Sequence, residues 1–249
     1  TDILIGTHAM LEPNVRWANL GLIVTDEQHR FGVKQRLNLS HETTAPHVLV
    51  MSATPIPRSL ALTIYGDLDI SVIDELPYGT NRVKTQLLGY SKRRAAYDTV
   101  RQEIEKGHQA YVVCPQISEG KSDRKSVERV FDELSKGYLQ GVKVGLAHGG
   151  MSRDFLSQQM SDFAEGLIQV LIATTVVEVG IDVPNATCMV IEGAESFGLA
   201  TLHQLRGRVG RAGQDAFCFL IPSHDETSSV DRLKVFETVF DGFELAQLD

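Results

Sequence analysis

Short apolar runs alternate along the chain with longer stretches whose apolar residues recur every third or fourth position. The runs read as buried strands and the longer stretches as amphipathic helices. Such alternation predicts an α/β fold with a largely parallel sheet. The first strands expected are Ile3–Gly6, Leu20–Thr25 and His47–Met51. The pattern then loosens through Gly66-Asp67-Leu68-Asp69 and Asp74-Glu75-Leu76-Pro77-Tyr78-Gly79, as a linker would. A second series follows: strand Val83–Leu88, a helix from about Lys92 to Lys106, strand Ala110–Cys114 and a helix ending near Ser135. Strand Val142–Ala147, helix Arg153–Ala164, strands Val170–Thr174 and Cys188–Ile191, a helix near Ala200–Leu205 and strand Ala216–Ile221 complete it. Two α/β units in tandem are therefore expected, over residues 1–75 and 76–225, with 226–249 opening a further region.

Length and composition sharpen this picture. At 249 residues the chain has room for two ordinary domains. Its 43% hydrophobic and 22% charged content is that of a folded globular protein. No apolar run reaches membrane-spanning length, and no signal-like pattern opens the chain. Cys114, Cys188 and Cys218 lie in apolar surroundings without metal-ligand spacing, which suits buried thiols in a reducing compartment such as the cytoplasm. The net charge of -8 argues against general polyanion binding. A local basic groove is compatible with it, because salt screens charges beyond about 8–10 Å. The abrupt strand-like opening at Thr1 and the uncapped end at Asp249 suggest a piece of a longer protein.

The densest chemistry lies in His203-Gln204-Leu205-Arg206-Gly207-Arg208-Val209-Gly210-Arg211-Ala212-Gly213. Guanidinium forks fit phosphate oxygens in pairs, and glycine lets the backbone turn sharply and approach a ligand. A second signal is Leu20–Thr25 running into Asp26-Glu27-Gln28-His29, a buried strand ending in adjacent carboxylates. Parallel sheets bind ligands at the carboxyl ends of their strands. Mg²⁺ is commonly held through one or two carboxylates plus nucleotide phosphates, which suits Asp26, while Glu27 suits polarising an attacking water. Met51-Ser52-Ala53-Thr54-Pro55 places the Ser52 and Thr54 hydroxyls at the next strand end, for a relay or for a turn before proline.

Val170–Thr174 continues into Thr175-Val176-Val177-Glu178-Val179-Gly180-Ile181-Asp182. Hydroxyls of Thr174 and Thr175 suit a backbone phosphate, and Asp182 suits a ribose hydroxyl or the task of orienting the arginine segment. Gly6 and Thr7 stand at another strand end, as a phosphate grip or an ordinary loop. His148-Gly149-Gly150-Met151-Ser152 opens a helix, either as an anion site or as a capping turn. Phe197 suits base stacking or core packing.

Taken together, these strings resemble the motor core of superfamily 2 helicases and translocases. Gln204-x-x-Gly207-Arg208-x-Gly210-Arg211 resembles their arginine-finger motif, and Asp26-Glu27-Gln28-His29 their Walker B box. Asp26–Arg36, Ser52–Arg58 running into Tyr65–Asp69, Phe197–Ala200 and Asp241–Ala246 resemble the bacterial RecG helicases in particular. The resemblance implies tandem RecA-like parallel-sheet domains, the first incomplete. It further implies ATP and Mg²⁺ as cofactors and branched or double-stranded DNA, held by its backbone, as partner. It assigns Asp26 and Glu27 to Mg²⁺ and water activation, and Gln204, Arg208 and Arg211 to the nucleotide. Gly180 and Asp182 then couple nucleotide to DNA, and Gly6, Thr7, Thr174 and Thr175 contact phosphates. The transcription-repair coupling factor, another double-stranded-DNA translocase, shares the arginine segment but typically has Glu where Gln28 stands. A non-catalytic nucleic-acid-binding remnant is the remaining alternative. No Gly-x-x-x-x-Gly-Lys-[Ser/Thr] loop occurs in the sequence, so these residues alone are expected not to hydrolyse ATP. Residues 1–75 are expected to be marginal alone, with apolar surface and strand edges uncovered.

Overall fold

A computed structural model describes residues 2–7, 10, 15, 17–26, 46–52, 69–73, 75, 83–115, 121–174, 182–223 and 227–248. The chain divides into two compact units, Thr1–Pro55 and Ile56–Asp249.

In the first unit, β1 (Leu22–Thr25) and β2 (His47–Val50) pair in parallel, Leu22 opposite His47 and Thr25 opposite Val50. Both match expected strands. Ile3–Gly6 does not: it carries no regular structure and pairs with no strand among the described residues. Its apolar alternation fits a strand, but a strand persists only when a neighbour takes up its N–H and C=O groups. Leu22, Val24, Val48 and Leu49 stand exposed, as do Ile3 and Ile5. These exposed apolar side chains are the uncovered surface expected of this stretch.

The second unit is built on a six-stranded parallel sheet. Its strands are β3 (Lys84–Leu87), β4 (Gln109–Val113), β5 (Val144–Ala147), β6 (Val170–Ala173), β7 (Ala186–Glu192) and β8 (Phe217–Ile221), in the order β3-β8-β7-β4-β6-β5. Central β4, β6 and β7 are buried along their entire length, which is why their sequences are nearly unbroken apolar runs. Helices α1 (Arg93–Glu105) and α2 (Lys121–Lys136) cover one face, where Tyr97, Val100 and Leu134 pack on Val112, Ile172 and Val190. The opposite face is covered by α3 (Arg153–Ala164), α4 (Leu199–Arg206), α5 (Thr227–Thr238) and α6 (Gly242–Leu248). There Phe163, Leu202, Leu205, Phe236 and Leu245 meet Tyr111, Leu171, Met189 and Leu220. Expected helix Arg153–Ala164 forms with those bounds, its first turn capped by the Ser152 hydroxyl.

Helices α5 and α6 were not foreseen, yet both carry local signals. Val230, Leu233, Phe236 and Val239 recur every third position, and the Asp241 carboxylate accepts from the Glu244 N–H at 2.9 Å to start α6. Edge strand β3 is guarded by α5: the Glu237 carboxylate accepts from the Leu87 N–H at 3.1 Å. All three cysteines are buried, and burial raises their thiols above the ordinary range.

A buried carboxylate pins the amino end of the sheet. Glu103, near the end of α1, accepts from Lys106 Nζ at 2.6 Å and Thr187 Oγ1 at 2.9 Å, and lies 2.7 Å from His108 Nδ1. Burial pushes its carboxyl up, but the hydrogen bonds from Lys106, His108 and Thr187 outweigh this and hold it below its ordinary value of 4.5. A depressed folded-state value means stability fully present above 4.5 and lost as pH falls through the lower, folded value. Glu103→Gln is expected to lower the melting temperature at neutral pH and to flatten its acid dependence. Thermal melts of both proteins between neutral pH and the acid range check this; parallel curves would count against it.

The arginine segment as candidate functional site

The arginine segment begins on α4, whose buried positions Leu199, Leu202, Leu205 and Arg206 follow helical spacing. Gly207 ends the helix, its N–H donating to His203 O at 3.0 Å, and the Arg208 N–H donates to Leu205 O at 3.0 Å. Gly210 then takes a left-handed φ of 76°, and its N–H reaches Ala186 O at 3.1 Å, at the first residue of β7. A Cβ there would lie 2.7 Å from that of Ala216, so both the turn and the close approach call for glycine. This holds the segment against the amino ends of β7 and β8.

Three arginines divide into two kinds. Arg208 is half-buried, and Arg211 is exposed at the segment's end. Arg211 Nη1 donates to Asp182 Oδ1 at 2.8 Å, and its Nε donates to Gly207 O at 3.0 Å. Asp182, which precedes β7, is thus in contact with the arginine segment, an arrangement compatible with the orienting role that is one of the two its position suggested. With side chains 39% and 60% exposed, this pair is worth only about 0–1 kcal/mol of stability. Within electrostatic reach of the pair is Tyr111 of β4, buried against Phe163 with ring centroids 4.8 Å apart. Burial raises its phenol, and the charge of Asp182 adds to this while Arg208 and Arg211 oppose it, leaving it at about 12. This phenol, close enough to feel the charges of the arginines, was missed from sequence, where Tyr111 is one more apolar residue of a buried strand.

Arg206 differs. It is only 4% exposed, and its guanidinium donates to Phe236 O and Val239 O, each at 3.0 Å. Hydrogen bonds to a charged group are worth about 1.5–3 kcal/mol each when buried, so Arg206 is an internal fastener and not a surface ligand. Reading the arginines as one cluster is corrected accordingly.

Of the other candidates, Gln204 is half-buried on α4. Thr174 follows β6 but is 3% exposed, and its N–H donates to Ala147 O at 3.1 Å. Asp26 stands exposed at the carboxyl end of β1, with Ser52 exposed just past β2. Gly6 and Thr7 are exposed, and Thr7 O accepts from the Met10 N–H at 3.0 Å. Phe197 is buried in the core, which settles its two readings in favour of packing. His148 is buried, its Nδ1 accepting from the Gly150 N–H at 3.1 Å, a capping turn before α3. Glu27, Gln28, His29, Thr54, Thr175 and Gly180 lie outside the described residues. Among the described residues no group of three or more His, Cys, Asp or Glu could hold a metal, and no helix is long and apolar enough to cross a membrane. One or two carboxylates suffice for Mg²⁺ beside phosphates, so Asp26 fits that ion.

Residues 1–63 match the DEAD/DEAH box helicase family, and residues 91–213 match the helicase conserved C-terminal domain. The ATP-dependent DNA helicase RecG of Thermotoga maritima is 50% identical over 249 residues, all of this chain and 32% of its own length. The chain is homologous to RecG helicases along its whole length. RecG of Bacillus subtilis is 45% identical over the same span, which is 36% of that protein. The chain thus spans about a third of the length of these curated relatives. A solved structure of RecG bound to a three-way DNA junction superposes with a TM-score of 0.79 at 47% identity, over 98% of this chain and 31% of that one. Dbp5 of S. cerevisiae bound to RNA and ADP BeF3, at 21% identity, shares the fold with a TM-score of 0.59 over 89% of this chain and 57% of its own. RecG homology agrees with the α/β architecture and with the strings that carried the resemblance.

Proposed function

We propose that this chain is motor machinery of an ATP-dependent DNA helicase of the RecG type, acting on branched DNA such as stalled forks and Holliday junctions. What carries the reading is the match to RecG from end to end of the chain, at 50% identity in the T. maritima relative. On this reading residues 1–75 belong to the first RecA-like domain, 76–225 form the second, and 226–249 begin the region beyond. The protein works in the cytoplasm.

Each residue then has a task. Asp26 holds Mg²⁺ through water, and Glu27 polarises the attacking water, with Gln28 and His29 completing the box. Gln204, Arg208 and Arg211, aided by Gly180 and Asp182, face the nucleotide. Gly6, Thr7, Ser52, Thr54 and Thr175 serve the DNA backbone without reading bases, and Thr174, being buried, is withdrawn from that set. Asp26 at a strand's carboxyl end supports the first assignment, and the Asp182–Arg211 pair supports the second. ATP with Mg²⁺, when bound, supplies in-line phosphoryl transfer. Among the described residues the contacts that hold Arg211 are exposed ones, so a phosphate can replace Asp182 as its partner at little cost.

The test is ATP turnover by the full-length protein with a three-way junction, linear duplex or no DNA, together with junction unwinding. Strong stimulation by the junction with strand separation is expected. Turnover indifferent to DNA would sink the helicase reading. Without a phosphate loop, the 249 residues alone are expected to show no turnover.

A further inference from the structure

Arg206 belongs to the arginine segment by sequence, yet it faces away from Arg208 and Arg211 in its contacts. Its Nη1 and Nη2 donate to Phe236 O and Val239 O, carbonyls at the carboxyl end of α5. The last carbonyls of a helix have no partner within it, and they carry the negative end of the helix dipole. A cation from another element satisfies both needs. The guanidinium also lies over the Phe236 ring at 4.1 Å and the Phe240 ring at 4.8 Å, with His203 Nδ1 3.1 Å from Nη2. Burial lowers its pKa to about 10, so it stays charged at neutral pH. On its other side Arg206 is joined directly to Gly207, whose carbonyl accepts from Arg211 Nε. Helix α5 is itself anchored to the sheet by Glu237 at Leu87, and to the turn between β7 and α4 by Arg232, which donates to Glu195 O at 2.9 Å and Phe197 O at 2.7 Å.

We propose that Arg206 is a positioning residue that ties the placement of Arg208 and Arg211 to the carboxyl end of α5, and that it makes no contact with the nucleotide. The strut is short: one residue separates the α5 cap from the carbonyl that steadies Arg211. A change in where α5 ends is thereby a change in where the arginines point. This rests on the reading of Arg208 and Arg211 as nucleotide-facing.

The test is steady-state ATP hydrolysis with DNA by the full-length protein carrying Arg206→Gln, Arg206→Lys or Phe240→Leu. Misplaced catalytic groups cost turnover and not uniform binding, so Arg206→Gln should lower kcat by about tenfold to a hundredfold and leave KM for ATP within about twofold. Arg206→Lys, which keeps one donor on the carbonyls, should recover part of the loss. Phe240→Leu leaves the arginine segment untouched and should show the same split at smaller size; it also stands in should Arg206→Gln fail to fold. A raised KM in Arg206→Gln with parental kinetics in Phe240→Leu would mean direct nucleotide contact and overturn the proposal, as would parental kcat in both. Arg208→Ala is the control: if its turnover is unchanged, the nucleotide-facing reading fails first, whatever Arg206 does.

Discussion

Replacing Arg211 or Arg208 with alanine in the full-length protein is expected to lower DNA-stimulated ATP turnover by about 10³–10⁵-fold, the scale on which an arginine supplied to a phosphoryl-transfer site works. The physical ground is developing charge on phosphate oxygens, which a planar, permanently charged fork neutralises in a water-poor cleft. The contacts of Arg211 suit that role. Gly210 sets the turn, Gly207 O holds Nε, and Asp182 holds Nη1 through a pair too exposed to matter for stability. Arg211→Ala should therefore leave the melting temperature nearly unchanged, and Arg211→Lys should not restore the rate, since an ammonium cannot reproduce the fork. Asp182→Asn should cost less than either arginine change, because it removes the orienting partner and leaves the fork in place. Steady-state hydrolysis and melting curves on the four proteins decide the matter. Full turnover in Arg211→Ala and Arg208→Ala would remove the arginines from the reaction.

Glu27→Gln in the same protein should spare nucleotide binding and abolish measurable turnover. A carboxylate that polarises the attacking water contributes about 10²–10⁴-fold, and the amide keeps its shape while losing its basicity. The neighbouring Asp26, at the carboxyl end of β1, is assigned the ion and not the water, so the two changes should differ in kind. Asp26→Asn should weaken the Mg²⁺ dependence of nucleotide binding, whereas Glu27→Gln should leave it alone. Fluorescent-nucleotide titration beside a turnover assay separates them. Turnover surviving in Glu27→Gln would show that another group orients the water.

How far these assignments were legible depends on how local their causes are. Strands β4, β6 and β7 could be read directly because a strand covered on both faces must be apolar at nearly every position, and Tyr111–Val113 or Val170–Ala173 leave little else to be. Ile3–Gly6 has the same look and forms no ladder, because pairing depends on a partner that no local pattern reports. Helices α5 and α6 were not foreseen, although the three-residue recurrence from Val230 to Val239 and Asp241-x-x-Glu244 carry a local signal for them. Asp182 and Arg211, 29 residues apart, could be suspected as partners from chemistry. The inward turn of Arg206 depends on carbonyls 30 and 33 residues away, and only its place after Leu199, Leu202 and Leu205 hinted at it.

The carboxylate that Glu237 lays over Leu87 has a consequence for assembly. An outermost strand with vacant amides invites a foreign chain to extend the sheet by backbone pairing. With that amide occupied and α5 lying alongside, β3 is a poor template for such annealing. Whatever engages this side of the second unit should recognise side chains on the α5 surface and not continue the ladder.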